Sequence, residues 1–267
     1  MGDWDPDLYH RFRRYRAEPF EAIMARLEPG GAEHRIADLG CGTGENTVEL
    51  ARRFVGSVTL GIDSSPAMID RALRLRENQE PAVRDRMRFV LGDIREFDAR
   101  REYSMIFSNA AFQWLGDHRE VFARCFEALA PGGRLVVQMP ANDREIALAT
   151  LDVMTREEPW RAVLAGVRPP STTVAAPEAY HRMLGEIGFT AIDCYYHAFH
   201  HPMGSPAEIV EWCRATALRR YLDLLDTNAR SRFIEALIAR LECAYGTRGP
   251  LTFNFRRLFI WARRPGN

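Results

Sequence analysis

The chain has 267 residues, 46% of them hydrophobic and 27% charged, with 36 Lys+Arg balanced by 36 Asp+Glu. That length suits one α/β domain with insertions and a large core, and the even charge argues against a nucleic-acid partner gripped through its phosphates. No apolar run reaches the roughly 18 residues of a membrane helix, the N-terminus lacks the apolar stretch of a signal peptide, and Cys41, Cys125, Cys194, Cys213 and Cys243 form no C-x-x-C pair, which reads as reduced thiols in a cytoplasmic protein without a metal site.

Apolar residues at three- and four-residue steps from Leu8 to Leu27 predict a helix over 7–27, stopped by Pro-Gly-Gly at 29–31. Short apolar runs at 35–39, 57–62, 87–91, 103–107 and 134–139 alternate with helical stretches near 45–54, from 66 onward and at 117–130. Pro66 suits a first helical turn with Ser64 or Ser65 as its cap. Pro-Gly-Gly at 131–133 reads as the stop of the helix before it. Residues 141–176 read as mostly helical with a loop at 168–170. A helix at 177–186, a strand at about 190–200, helices over 205–246 and a last strand at 256–262 complete the chain. This alternation predicts an α/β fold with a doubly wound, mostly parallel seven-stranded sheet. Within one domain of residues 1–267, the core is expected at about 30–140, 177–202 and 253–267. Segments 1–28, 141–176 and 203–252 are expected to form a helical cap.

The run Asp38-Leu39-Gly40-Cys41-Gly42-Thr43-Gly44 leads from the first strand into a helix. Glycine permits a tight turn and lets a ligand lie against bare backbone. The helix start offers unpaired N–H groups. Dinucleotide loops are spaced G-x-G-x-x-G, whereas this one is G-x-G-x-G, with no third glycine at the helix-packing position. By itself it could be an ordinary turn. Asp63 ends the second strand, where a carboxylate can accept both hydrogen bonds of a ribose diol. Asp93 ends the third, where it can accept from an adenine amine with Ile94 on the ring face. Either aspartate alone could be a cap or turn residue. Three such features at consecutive strand ends point to a nucleoside ligand.

On these residues the sequence resembles the class I S-adenosylmethionine-dependent methyltransferases, whose first motif matches D-L-G-C-G-T-G. The resemblance implies a Rossmann-like methyltransferase fold, S-adenosyl-L-methionine as cofactor with S-adenosyl-L-homocysteine as product, and a small-molecule acceptor. It implies that Asp38, Gly40, Gly44, Asn46 and Thr47 surround the methionine portion of the cofactor. Asp63 would hold the ribose and Asp93 the adenine, with Ser64 and Met68 flanking the adenosine. Gly42, Ile94 and Asn109 join the cofactor-binding set. Further blocks resemble the trans-aconitate methyltransferase branch: W-D-P-D-L-Y at 4–9, N-A-A-F-Q-W-L at 109–115, I-V-E-W-C-R-A-T-A-L at 209–218 and R-R-L-F-I-W-A-R-R at 256–264.

Two places depart from that branch. Its E-R-x-R-P is Tyr15-Arg16-Ala17-Glu18-Pro19 here, and its T-G-L-R-P is Thr216-Ala217-Leu218-Arg219-Arg220. An anion at Glu18 in place of an arginine is expected to disfavour a tricarboxylate. Trp4, Tyr9, Arg16, Trp114, Trp212, Arg219 and Tyr221 are the candidate acceptor contacts. The leading expectation is methyl esterification of a small carboxylic acid. A carboxylate, with a pKa of about 4, is already ionised at pH 7 and needs no base, so no catalytic acid or base is assigned. One alternative is methyl transfer to carbon, nitrogen or a hydroxyl of another small molecule, with His201, Glu18 and Tyr195 as candidate bases. The other is a cofactor-binding protein without catalysis. His197, His200 and His201 are not expected to hold a metal, because strand alternation puts His200 on the opposite face from the other two.

Overall fold

The computed structural model describes residues 6–28, 35–164, 166–167, 174–214, 217–247 and 249–266, the side chains of residues 6–11 and 13 excepted. Trp4 and the loops expected at 29–31 and 168–170 lie outside the described residues. In chain order the elements are α1 (Pro6–Arg26), β1 (Arg35–Leu39), α2 (Glu45–Arg53), β2 (Val58–Asp63), α3 (Pro66–Glu77), α4 (Pro81–Arg84), β3 (Met87–Leu91), β4 (Tyr103–Asn109), α5 (His118–Ala128) and β5 (Leu129–Pro140). Then follow α6 (Ile146–Thr155), α7 (Arg161–Leu164), α8 (Pro177–Ile187), β6 (Thr190–Met203), α9 (Pro206–Arg214), α10 (Arg219–Leu222), α11 (Thr227–Tyr245) and β7 (Leu251–Arg263).

The described strands form one seven-stranded sheet in the order β3-β2-β1-β4-β5-β7-β6. β1 pairs in parallel with β2 and β4, β2 with β3, and β4 with β5. β7 runs the other way. The N–H of Gly132 reaches Arg264 O at one end of β5, and that of Ala141 reaches Arg256 O at the other. The doubly wound, mostly parallel seven-stranded sheet expected from the sequence is therefore the one present. Ile36, Ala37 and Leu39 on β1 are fully buried, as befits a central strand covered on both faces.

Three local expectations are corrected. Neither Ser64 nor Ser65 caps α3 through its side chain; Ser65 holds the cap position, but the Asp63 carboxylate takes the Ser65 N–H at 2.9 Å. Pro-Gly-Gly at 131–133 does not stop a helix. α5 ends at Ala128, and the three residues make an irregularity within β5, where pairing jumps from Tyr103↔Leu129 to Met105↔Arg134. A Cβ on Gly133 would stand 2.8 Å from Ala130 O and 3.0 Å from Tyr103 O, so this crowded bulge needs a glycine. The last strand begins at Leu251, five residues earlier than expected.

The chain divides into two compact units. The first comprises Met1–Glu18, Pro140–Val174 and His197–Arg257, and the second Pro19–Met139, Ala175–Tyr196 and Leu258–Asn267. The division passes through α1, β6 and β7 and cuts off the last residue of β5, Pro140. Among the described residues no helix is long and apolar enough to cross a membrane.

Within the second unit, the buried Arg264 closes the end of the chain onto α5. Its guanidinium donates to the carbonyls of Phe126, Glu127 and Leu129 and lies over the Phe126 ring. The last carbonyls of a helix have no partner within it and favour a cation. Arg264→Met keeps the apolar stem but leaves those carbonyls unpaired. Denaturant unfolding should show a loss of about 2–4 kcal/mol.

Candidate functional site

A cavity of about 590 Å³ opens in the second unit at the carboxyl ends of β1, β2 and β4 and just past β3. This is where an open α/β sheet reverses its strand order and takes ligands, and the volume suits a drug-sized molecule.

Its floor is the glycine loop. The N–H groups of Gly40 and Cys41 both donate to Ile62 O, at 2.8 and 2.9 Å, which lays the loop across the end of β2. Gly40 has φ +76°, and a Cβ there would stand 2.2 Å from Ala111 Cβ. Gly44, at φ +89°, is the N-cap of α2, where a Cβ would come within 2.9 Å of the Phe89 ring and 3.1 Å of Ala72 Cβ. Gly44 thus fills the helix-packing role for which the sequence spacing showed no glycine.

The Asp63 carboxylate ties this loop to the start of α3. One oxygen accepts the Gly42 N–H and the other the Ser65 N–H, each at 2.9 Å. Asp38 lies behind the loop, 1% exposed, with the Thr47 hydroxyl donating to it at 2.5 Å. Burial pushes the Asp38 carboxyl up to about 7; the Thr47 hydrogen bond opposes this, and the charge of Asp63 adds to it. Burial, with Asp38 and Asp63 beside it, also pushes the Cys41 thiol far up, so it is not a nucleophile at neutral pH.

Of the residues expected to bind cofactor, Gly40, Gly42, Asn46, Asp63, Ser64, Met68, Asp93, Ile94 and Asn109 line the cavity. Asp38, Gly44 and Thr47 do not; they support the loop from behind. Asp93 is not free as the sequence suggested. Arg95 grips both its oxygens, and its hydrogen bonds hold the Asp93 carboxyl below the usual carboxylate range. A carboxylate has about four lone-pair sites, so Asp93 can still accept from a ligand. Arg95 lines the cavity and went unnoticed because nothing in the sequence spacing marks it.

Asn109 lines the cavity, and its side-chain oxygen is buried with no hydrogen-bond partner. The next residue, Ala110, has φ +56°. A left-handed alanine stores strain and tends to sit at functional sites, but its identity gives no sequence signal.

The methyltransferase domain family matches residues 36–133. Trans-aconitate 2-methyltransferase of Paracidovorax citrulli is 36% identical over 268 residues, covering 99% of both chains. The Escherichia coli protein of that name is 37% identical over 274 residues, again over 99% of each. The chain belongs to the trans-aconitate 2-methyltransferase family. It is an S-adenosylmethionine-dependent methyltransferase. Solved structures share the fold at lower identity. The phosphoethanolamine N-methyltransferase 2 of Haemonchus contortus, in complex with S-adenosylhomocysteine, superposes with TM-score 0.59 at 20% identity over 93% of this chain. The match spans only 52% of that longer protein. The geranyl diphosphate C-methyltransferase of Streptomyces coelicolor gives TM-score 0.58 at 18% identity, covering 99% of this chain and 86% of that one.

The residues present fit the family's cofactor. Asp63 and Asp93 offer carboxylate oxygens to hydroxyl and amine donors, and the acidic lining suits a cationic sulfonium.

Among the candidate acceptor contacts of this methyltransferase, Trp114 lines the same cavity, 59% exposed. Others lie in the first unit. Trp212 is buried in an aromatic cluster with Phe12, Tyr15, Phe253 and Phe255, so it is a core residue there. Arg16 donates to Trp212 O at 3.2 Å and lies 4.9 Å over the Trp212 ring. Tyr221 is buried with its hydroxyl unpartnered, and Arg219 is exposed, 3.7 Å from Asp223. Tyr9 falls on α1, with its side chain outside the described residues. His201 is fully buried, stacked on Tyr15 at 4.3 Å, with Nδ1 3.6 Å from Glu18 Oε2. Burial, with Arg257 and His200 nearby, lowers its pKa to about 4. Tyr195 does not join them: it belongs to the second unit, where it stacks on Phe259 and carries Arg26 over its ring.

Two measurements follow. Asp38 is raised well above its unfolded value, so its contribution to stability is full below about pH 4 and is lost as pH rises towards 7. In the ligand-free protein, stability should fall between pH 5 and 8 by on the order of 3 kcal/mol more in wild type than in Asp38→Asn. Asp63→Ala should weaken S-adenosylhomocysteine binding about 10- to 150-fold by calorimetry; an unchanged dissociation constant would remove Asp63 from the site.

Proposed function

We propose that this methyltransferase esterifies one carboxylate of a small carboxylic acid related to trans-aconitate. The observation that carries this reading is Arg16, a partly buried arginine fixed on the Trp212 carbonyl and ring, because a planar guanidinium is the natural fork for a carboxylate. The full-length relatives support it, being named for a carboxylic acid substrate. The first unit also carries the candidate contacts Trp212, Arg219 and Tyr221. The free, largely buried cysteines support a reducing, cytoplasmic setting.

When bound, S-adenosylmethionine supplies an electrophilic methyl on a sulfonium, and transfer to a carboxylate oxygen breaks the C–S bond, leaves the electron pair on sulfur and moves no proton. The chain's own work is to bind and align. Asp63 would accept from the ribose hydroxyls and Asp93 from the adenine amine, with Ile94 beside the ring. The open N–H groups at the start of α2, beside Asn46, suit a carboxylate. An acid acceptor is ionised at pH 7, so no residue has to remove a proton.

A second reading rests on the Glu18–His201 pair. A buried neutral imidazole could take a proton from a hydroxyl, amine or carbon acceptor.

Steady-state kinetics on a panel of mono-, di- and tricarboxylic acids and neutral acceptors separates the two. A methyl ester should form from at least one acid. Methylation confined to a neutral acceptor would overturn the ester reading, and Glu18→Gln should then lower kcat more than it alters KM. Hydrogen exchange should slow within 140–174 and 197–257 when the acceptor binds. Changes confined to 36–115 would overturn the role given to the first unit.

A further inference from the structure

Asn109 closes β4 and Gln138 lies on β5, both within the second unit. They are register partners, two residues beyond the partners Phe107 and Val136. Strand alternation puts all four on one face, where the Phe20 ring of α1 packs edge-on against Phe107 at 5.8 Å. The main chain ties the pair together as well, because the Ala110 N–H donates to Gln138 O at 2.9 Å. Gln138 is fully buried, and neither its side-chain oxygen nor its nitrogen has a hydrogen-bond partner. Whichever way that amide is turned, one donor group and one acceptor are left over. The Asn109 side-chain oxygen is buried and orphaned in the same way. Buried polar groups are normally paired, because losing water without a replacement is costly. Here an unpaired donor and an unpaired acceptor stand on neighbouring strands, which lie about 5 Å apart, so one side-chain rotation joins them.

The sheet order says what they meet. The residues fitted to the adenosine stand at the end of β2 and just past β3, and the glycine loop follows β1. β4 lies on the other side of β1 from β2. Its end, Asn109 to Ala111, with Trp114 and Leu115, is the stretch of cavity wall that those cofactor contacts leave over. A carboxylate becomes neutral as it takes the methyl, so a cation on the reacting group holds the ground state more firmly than the transition state. A side-chain amide donates hydrogen bonds without carrying charge and forfeits less.

We propose that Asn109 holds the reacting carboxylate of the acceptor through its side-chain N–H groups. Gln138 is then a positioning residue, whose amide donates to Asn109 Oδ1 and turns the Asn109 nitrogen to the cavity. One oxygen of the carboxylate accepts from Asn109. The other forms the bond to the methyl carbon as the carbon–sulfur bond breaks and its electron pair stays on sulfur. This rests on the ester-forming reading and assigns the hold on the reacting carboxylate.

The test is steady-state kinetics with S-adenosylmethionine and trans-aconitate, glutarate or butyrate as acceptor, paired with calorimetry of S-adenosylhomocysteine. For the acid that wild type methylates best, Asn109→Leu should lower kcat/KM about 10- to 150-fold, as loss of a hydrogen bond to a charged group does. Its S-adenosylhomocysteine dissociation constant should stay within about threefold of wild type. Asn109→Asp keeps the oxygen but swaps the donors for an anion, so like-charge repulsion should cost more activity than Asn109→Leu, with S-adenosylhomocysteine still bound. Gln138→Met should lower kcat/KM about 2- to 10-fold, as loss of a neutral hydrogen bond does. It should add nothing on top of Asn109→Leu, a coupling that a purely structural glutamine does not show. Because the Gln138 amide is unpaired without ligand, Gln138→Met should melt no lower than wild type. If Gln138→Met does not fold, the positioning role fails, and the two Asn109 variants still decide the contact. Acid turnover within about threefold of wild type in both Asn109 variants overturns the contact. Loss of S-adenosylhomocysteine affinity in step with turnover in Asn109→Leu moves Asn109 to the cofactor and overturns it too. Either result leaves the ester reading intact, since wild type still makes the ester. If wild type methylates only neutral acceptors, both fall.

Discussion

The second unit is organised around one carboxylate. Asp63 accepts main-chain N–H groups from two directions, Gly42 in the loop after β1 and Ser65 at the start of α3. Each of these amides would otherwise be an unpaired donor beside a cavity. Because a single side chain holds both, the loop and helix cannot move independently of the end of β2. The paired donation of Gly40 and Cys41 to Ile62 O fixes the same loop from its other end. The cavity floor is therefore preorganised, and its free carboxylate lone pairs point at whatever enters.

The opposite wall is held with similar economy. After β4 the chain turns through the left-handed Ala110 and into the 3₁₀ turn Phe112–Trp114. His118 anchors that turn: one ring nitrogen meets Phe112 O at 2.8 Å and the other the Tyr180 hydroxyl at 2.5 Å. Both groups are buried, so this hydrogen-bond chain works in a low dielectric, where it is strong when complete. It keeps Ala111 against Gly40, where no space remains for a larger loop residue.

The cavity of the second unit is lined by the carboxylates of Glu45, Asp63 and Asp93, and behind its loop burial beside Asp63 makes Asp38 reluctant to ionise. The first unit concentrates Arg16 and Arg257 among aromatic rings. Aromatic faces stabilise buried arginines of this kind.

The sequence by itself determined the alternation of strands and helices, the glycine loop and the acidic ends of β2 and β3, because each depends on local periodicity or on residues adjacent in the chain. It also marked Arg16, Asn109 and Trp114 through motif resemblance. What it misplaced depended on neighbours distant in sequence. Gly44 packs against Phe89 and Ala72, and Asp93 is engaged by Arg95. Pro-Gly-Gly at 131–133 became a bulge in β5 rather than a helix stop, since β4 and β7 flank it there. Only the tertiary structure decided that Trp212 is core, that Tyr195 and His201 belong to different units, and that Arg257 is buried against the Phe255 ring. Burial and charge pairing are properties of three-dimensional packing, and a strand arginine in R-R-L-F-I-W-A-R-R looks the same in sequence whether it faces water or an aromatic ring in the interior.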